Sequence, residues 1–100
     1  NVTDIVIACY GLSFKPDIDD LRESPALQIY MEIAKFHAGL TIAVEPNIKK
    51  HSFEDINLVE FKQATNLADI HVLLVDHREF KNCEIRSDYI IDTKGIWQSN

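Results

Sequence analysis

The chain has 100 residues and a formal charge of −6, from 10 Lys+Arg against 16 Asp+Glu. Hydrophobic residues at 46% and charged residues at 26% describe a folded domain and exclude a disordered chain, and the length admits one core. The acid excess excludes a duplex nucleic-acid binder and docking on an anionic membrane surface, both of which need a basic face, and no apolar run approaches the ~18 residues that span a bilayer.

Asp4 to Tyr10 is a continuous apolar run rich in β-branched residues, as in a strand buried on both faces of a parallel sheet. Gly11 ends it, and Leu12 to Glu23 reads as an ordered loop of mixed Pro, Asp and charge. Ser24-Pro25 predicts a helix start, with Ser as the N-cap acceptor and Pro in the first turn. Ala26, Leu27, Ile29, Tyr30, Ile33 and Ala34 recur at helical spacing, and Gly39 is expected to stop the helix. Leu40 to Val44 is a second buried strand, closed by Glu45-Pro46-Asn47. A polar, ambiguous stretch follows, then a short third strand over Asn57 to Phe61 and a helix over Phe61 to Ala68. Ile70 to Val75 is a fourth strand, Asp76 to Phe80 a helical turn, and Tyr89 to Asp92 a last strand.

Strands alternating with helices predict an α/β, Rossmann-like, three-layer domain. Its parallel sheet has about five strands in the order 3-2-1-4-5. Residues 1–100 are expected to be a single domain. Ligands of such sheets bind beyond the carboxyl ends of the strands. Those ends are Gly11 to Asp20, Glu45 to Asn47, Asp76 to Phe80 and Asp92 to Gly95.

The N-terminus lacks the basic start and cleavage site of a signal peptide. It also lacks an initiator Met, as a segment of a longer protein would. Cys9 and Cys83 have neither metal nor redox spacing and read as reduced thiols of a cytoplasmic protein. No pair of histidines has metal-ligand spacing, and no Ser or Cys has a recognisable base partner. His37 sits near a helix end and suits its negative pole. His71, within a strand, suits a satisfied core or edge position, and His77 follows Asp76 at a strand end. Glu45 stands where a dinucleotide fold places an acid for a ribose hydroxyl, although a solvated strand-end carboxylate fits it better.

The first loop lacks G-x-G-x-x-G, so a backbone cradle for a dinucleotide is missing. It offers side-chain cations instead, Lys15 and Arg22, flanking Asp17, Asp19 and Asp20. Phe14 beside Lys15 suits a phosphate-bearing ligand with a flat or apolar part. Simple pairing of these cations with the aspartates of a solvated loop is the alternative.

Residues Gly11 to Pro25, GLSFKPDIDDLRESP, resemble the segment that opens the C-terminal, UDP-binding domain of the UDP-glucose/GDP-mannose dehydrogenases. Val44-Glu-Pro-Asn47, Leu74-Val-Asp-His77 with Phe80, and Asp92-Thr-Lys-Gly-Ile-Trp97 fit the same family. Their particular forms are similar to its UDP-N-acetyl-D-mannosamine branch. The resemblance implies an NAD-dependent nucleotide-sugar 6-dehydrogenase that oxidises UDP-N-acetyl-D-mannosamine to UDP-N-acetyl-D-mannosaminuronate for surface polysaccharide synthesis. It further implies a homodimer, with NAD bound mainly by an absent N-terminal domain. Phe14, Lys15 and Lys94 would then contact the UDP-sugar, and Arg22 would reach NAD. The family's glycine-rich motif and nucleophilic cysteine lie upstream of this segment. No catalytic residue and no metal site are therefore expected here, and the chain alone is expected to be inactive. A small receiver-like signalling module, with Asp19, Asp20 and Asp76 around a metal, is the alternative.

Overall fold

The computed structural model describes residues 2–13, 24–46, 56–81, 85, 89–94 and 97. After a single 3-10 turn at Val2–Asp4, the elements in chain order are β1 (Ile7–Tyr10), α1 (Pro25–Phe36), β2 (Thr41–Val44), α2 (Phe61–Leu67), β3 (Ile70–Leu73), α3 (Arg78–Lys81) and β4 (Ile90–Asp92). Among the described residues the strands form one sheet in the order β2-β1-β3-β4. Every pairing is parallel, with Tyr10 opposite both Val44 and Leu73, and Leu73 opposite Asp92.

The α/β architecture agrees with the sequence, but among the described residues the sheet has four strands rather than about five. The expected third strand at Asn57 to Phe61 shrinks to one parallel bridge, Ala43 to Leu58. Two backbone hydrogen bonds hold it, Ala43 N–H to the Asn57 carbonyl and Val59 N–H to the Ala43 carbonyl. The segment stops pairing because α2 begins at Phe61, three residues beyond Leu58. The bridge lies beside β2, where the expected order put a third strand.

Alternation along β1 divides the core between two faces. Cys9 packs with Tyr30, Ala43 and Val72 on one side, while Ala8 and Tyr10 pack with Ile42, Ala64 and Phe80 on the other. Cys9 is a free, buried thiol whose pKa is pushed up to about 12 by desolvation. Cys83 lies outside the described residues.

Helix α1 starts as its sequence dictates. The Ser24 Oγ accepts from the Leu27 N–H at 3.3 Å, and Pro25 occupies the first turn. Its end differs from expectation. The helix stops at Phe36, and His37 caps it in extended backbone, its N–H donating to the Ile33 carbonyl. The His37 ring bonds the Ile5 carbonyl through Nε2 at 2.7 Å, so it ties the helix end to the approach of β1. Gly39 serves close packing rather than capping, because a Cβ there would come within 2.6 Å of the Ile5 carbonyl oxygen.

Candidate functional site at the carboxyl edge of the sheet

Gly11 leaves β1 with φ +95, a backbone conformation that L side chains adopt at a cost. A Cβ there would lie 2.6 Å from the Val75 Cβ and 2.9 Å from its backbone N. Glycine is thus required by the close passage of the chain leaving β3, and the position is not a phosphate cradle. The turn points the next two amides, Leu12 and Ser13, toward the end of β2.

Both amides donate to one oxygen, Glu45 Oε1, at 2.7 and 2.9 Å. The same oxygen lies 2.9 Å from His77 Nε2, and the Ser13 Oγ is 3.1 Å from that nitrogen. Ser13 and His77 are fully buried, and Glu45 is 5% exposed. These residues lie within four positions of the ends of β1, β2 and β3, so the parallel register gathers them at one edge of the sheet. The expectation of a solvated Glu45 is therefore corrected. Its carboxylate is withdrawn from water and compensated by two backbone N–H groups and an imidazole N–H.

Successive amides just past the first strand are where glycine-rich dinucleotide folds receive phosphate. Here the protein's own carboxylate takes that position, so Glu45 is not placed to receive a ribose hydroxyl.

His77 turns inward to Glu45. The Ser13 hydroxyl has a histidine beside it after all, a contact across 64 residues that local spacing does not reveal. The arrangement is not a nucleophile set. Ser13 and Glu45 both meet Nε2, whereas a relay needs the two ring nitrogens to face different partners, and all three groups are shut off from solvent.

The loop's far end is anchored to its near end. The Ser24 hydroxyl donates to the Leu12 carbonyl at 2.6 Å while it caps α1. Leu12 is thus fixed through its N–H by Glu45 and through its carbonyl by Ser24. Phe14, Lys15 and Arg22, the binding residues expected on this loop, lie outside the described residues, as do Asp17, Asp19 and Asp20.

The turn after β4 is described. Thr93 Oγ1 donates to the Leu73 carbonyl at 2.6 Å, which fastens the turn to β3. Asp92 accepts from the Lys94 N–H at 2.9 Å and from the Trp97 N–H at 2.6 Å. The Trp97 indole N–H donates to the Phe80 carbonyl, and its ring stands edge-on to Tyr10 at 4.9 Å. Lys94 itself is exposed, and among the described residues its ammonium has no acidic partner.

A cleft of about 340 Å³ opens beside this edge, lined by Val44, Pro46, Val59, Phe61, Glu79 and Phe80 among others. Among the described residues no three His, Cys, Asp or Glu side chains are grouped to hold a metal ion. No described helix is long and apolar enough to cross a membrane.

Comparison with known proteins places this geometry. Residues 8–99 match the UDP-binding domain of the UDP-glucose/GDP-mannose dehydrogenase family. The chain is 46% identical to UDP-N-acetyl-D-mannosamine dehydrogenase of Yersinia pestis, over 96% of its own length and 24% of that protein's. It is 46% identical to NDP-N-acetyl-D-galactosaminuronic acid dehydrogenase of Ralstonia solanacearum, over 94% of its length and 23% of that protein's. The solved UDP-N-acetyl-mannosamine dehydrogenase of Staphylococcus aureus superposes with a TM-score of 0.76 at 29% identity, covering 95% of this chain and 24% of that one. The chain therefore spans about a quarter of the length of these relatives. A family match over nearly the whole chain, carried on a parallel sheet of the expected class, favours the dehydrogenase reading over the receiver-like one: the chain belongs to the UDP-glucose/GDP-mannose dehydrogenase family, as its UDP-binding domain.

Proposed function

We propose that residues 1–100 are the C-terminal domain of a longer, NAD-dependent nucleotide-sugar 6-dehydrogenase, and that the domain holds the UDP moiety of the substrate. Phe14, Lys15 and Lys94 are its UDP-sugar contacts. One observation carries the reading. The four strands run parallel, so the loop bearing Phe14 and Lys15 and the turn bearing Lys94 leave the same edge, two strand positions apart. That separation is roughly 10 Å at the backbone, a gap that two lysine side chains can close on one diphosphate. Two ammonium groups offset its two negative charges.

The substrate we assign is UDP-N-acetyl-D-mannosamine, oxidised to the uronate for surface polysaccharide synthesis in the cytoplasm by a homodimer. The Yersinia pestis relative supports this sugar. The Ralstonia solanacearum relative, at the same identity, favours a second reading in which another N-acetylated hexosamine is the substrate. NAD would accept the hydride. The described residues do not fit it, since the Leu12 and Ser13 amides already hold Glu45 and Gly11 packs on Val75. NAD is therefore assigned to the remainder of the protein, with Arg22 reaching it from this domain. The chain by itself supplies binding and orientation, and it is inactive alone.

The test is Lys15→Ala in the full-length enzyme. Loss of one charge-assisted contact removes roughly 1.5–3 kcal/mol, so KM for the UDP-sugar rises about ten- to a hundredfold. Unchanged kinetics remove Lys15 from the site.

A further inference from the structure

Two buried side chains behind the binding loop have no part in the reading above, although both contact its root. Glu45 grips the amides of Leu12 and Ser13, and Ser13 is two residues before Lys15. His77 holds the gripping oxygen from the other side and also meets the Ser13 hydroxyl. An ionised carboxylate only accepts, so His77 Nε2 carries a proton directed at Glu45 Oε1. With Ser24 holding the Leu12 carbonyl, every polar group of the Leu12 backbone is committed. Gly11 fixes the exit angle, Glu45 fixes the next two peptide planes, and His77 fixes Glu45. The three come from the ends of three adjacent strands.

We propose that Glu45 and His77 are positioning residues for the nucleotide sugar. Glu45 fills the anion position of the first strand's exit and His77 locks it there. Together they fix the backbone from which the first loop departs, and Phe14 and Lys15 are the next residues of the chain. Neither touches substrate. The inference rests on the proposed role of Lys15 and adds the device that orients it. Affinity for the nucleotide sugar then depends on two groups buried behind the loop, while the turnover of bound substrate and the affinity for NAD do not.

The experiment is steady-state kinetics of the full-length enzyme with UDP-N-acetyl-D-mannosamine and NAD. The variants are His77→Ala, His77→Gln, Glu45→Gln and Lys15→Ala, with Val72→Ala as a core-destabilised control. A glutamine amide can place an N–H where Nε2 stood, so His77→Gln is the conservative rescue. His77→Ala should raise KM for the UDP-sugar about tenfold or more, with kcat and KM for NAD changed less than about twofold. His77→Gln should recover most of that loss. Glu45→Gln keeps the volume and one acceptor oxygen, and should raise the same KM about three- to tenfold. Val72→Ala should lower the melting temperature without moving KM. In the double variant Lys15→Ala/His77→Ala the KM effects should be less than additive, because His77 acts through the loop that carries Lys15.

If Lys15→Ala raises KM but His77→Ala and Glu45→Gln leave it unchanged, the positioning role is overturned and the binding role of Lys15 stands. If Lys15→Ala itself leaves KM unchanged, the UDP-site reading fails first. Equal KM shifts in Val72→Ala and His77→Ala would also overturn the inference, by reducing it to general destabilisation. Should His77→Ala fail to fold, His77→Gln and Glu45→Gln decide: a normal KM in Glu45→Gln overturns the proposal, and a raised KM there with a near-normal one in His77→Gln upholds it.

Discussion

Tyr10 Oη and His71 Nδ1 lie 2.7 Å apart inside the core, bonded across β1 and β3. His71 is in register with Ala8, so Tyr10 reaches it diagonally. The Tyr10 ring also meets Phe61, Phe80 and Trp97 at centroid distances of 5.5, 5.9 and 4.9 Å. Tyr10→Phe would keep these ring contacts and leave the histidine nitrogen buried without its hydroxyl. A loss of about 1–3 kcal/mol is expected, read as a lower urea midpoint at unchanged slope. A variant as stable as the parent would show that the bond only offsets its own desolvation.

The same histidine predicts how stability depends on acid. Burial lowers the His71 pKa, partly opposed by the charge of Asp69. The unfolded chain, with an ordinary histidine near pH ~6.5, therefore binds a proton that the native state refuses. The contribution of His71 is complete above that pH. It is lost as pH falls through the unfolded value toward the depressed native one. Urea midpoints measured from pH 8 downward should begin to fall near pH ~6.5. His71→Asn should flatten that limb, and an unaltered limb would assign it to another group. At the alkaline side Cys9 acts with the opposite sign: its native pKa of about 12 lies above the ordinary 9.0. Its share of stability is present below pH 9.0 and is lost as pH rises toward about 12.

Much of this fold was legible because the strands are short apolar runs and α1 begins with Ser24-Pro25. The third strand was over-read. Asn57 to Phe61 shows strand composition, yet its pairing with β2 is confined to the single bridge at Leu58, held by the Asn57 and Val59 backbone, since Glu60 already caps α2. The site was legible as an edge and not as contacts. Glu45 looked solvated because nothing near it in sequence could satisfy a buried carboxylate; its partners are 32 and 33 residues away. The one local signal was the missing glycine fingerprint. A loop at this edge without a cradle for phosphate still has amides to satisfy, and a strand-end acid is the nearest acceptor. The edge-on contact of Tyr10 with Trp97 was not legible for a related reason, since aromatic residues 87 positions apart show no periodicity.

Gly11 gives the sharpest prediction about backbone. The φ of +95 disfavours any L side chain by roughly 1–2 kcal/mol, before counting overlap with Val75. Neither the Val75 backbone nor its Cβ can move without shifting the chain leaving β3. Gly11→Ala should therefore cost at least about 2 kcal/mol, a drop of roughly 8–16 °C in Tm for a domain of this size. A melting temperature within a degree or two of the parent would mean that the turn relaxes, and that it does not define the exit of the first loop.

The turn after β4 separates structure from binding within one motif. Asp92, Thr93 and Trp97 spend their polar groups internally, on the Lys94 and Trp97 amides and on the Leu73 and Phe80 carbonyls. Thr93 and Lys94 are both exposed, but the Thr93 hydroxyl is bonded to the Leu73 carbonyl, whereas the Lys94 ammonium has no acidic partner among the described residues. Lys94→Ala should consequently leave stability within about 0.5 kcal/mol of the parent. If Lys94 grips the diphosphate, the same change should raise KM for the UDP-sugar about tenfold or more in the full-length enzyme. Lys94→Arg keeps the charge but exchanges a point for a planar fork, so it should restore only part of the affinity. Asp92→Ala should do both kinds of damage: a stability loss of about 1–2 kcal/mol from the freed amides, and a raised KM because the turn no longer holds Lys94 in place. The pattern to look for in the paired melting and kinetic data is a Lys94 variant that melts normally and binds poorly. A Lys94→Ala enzyme with normal KM would remove this residue from the site and leave the turn a purely structural clasp between β3, α3 and β4.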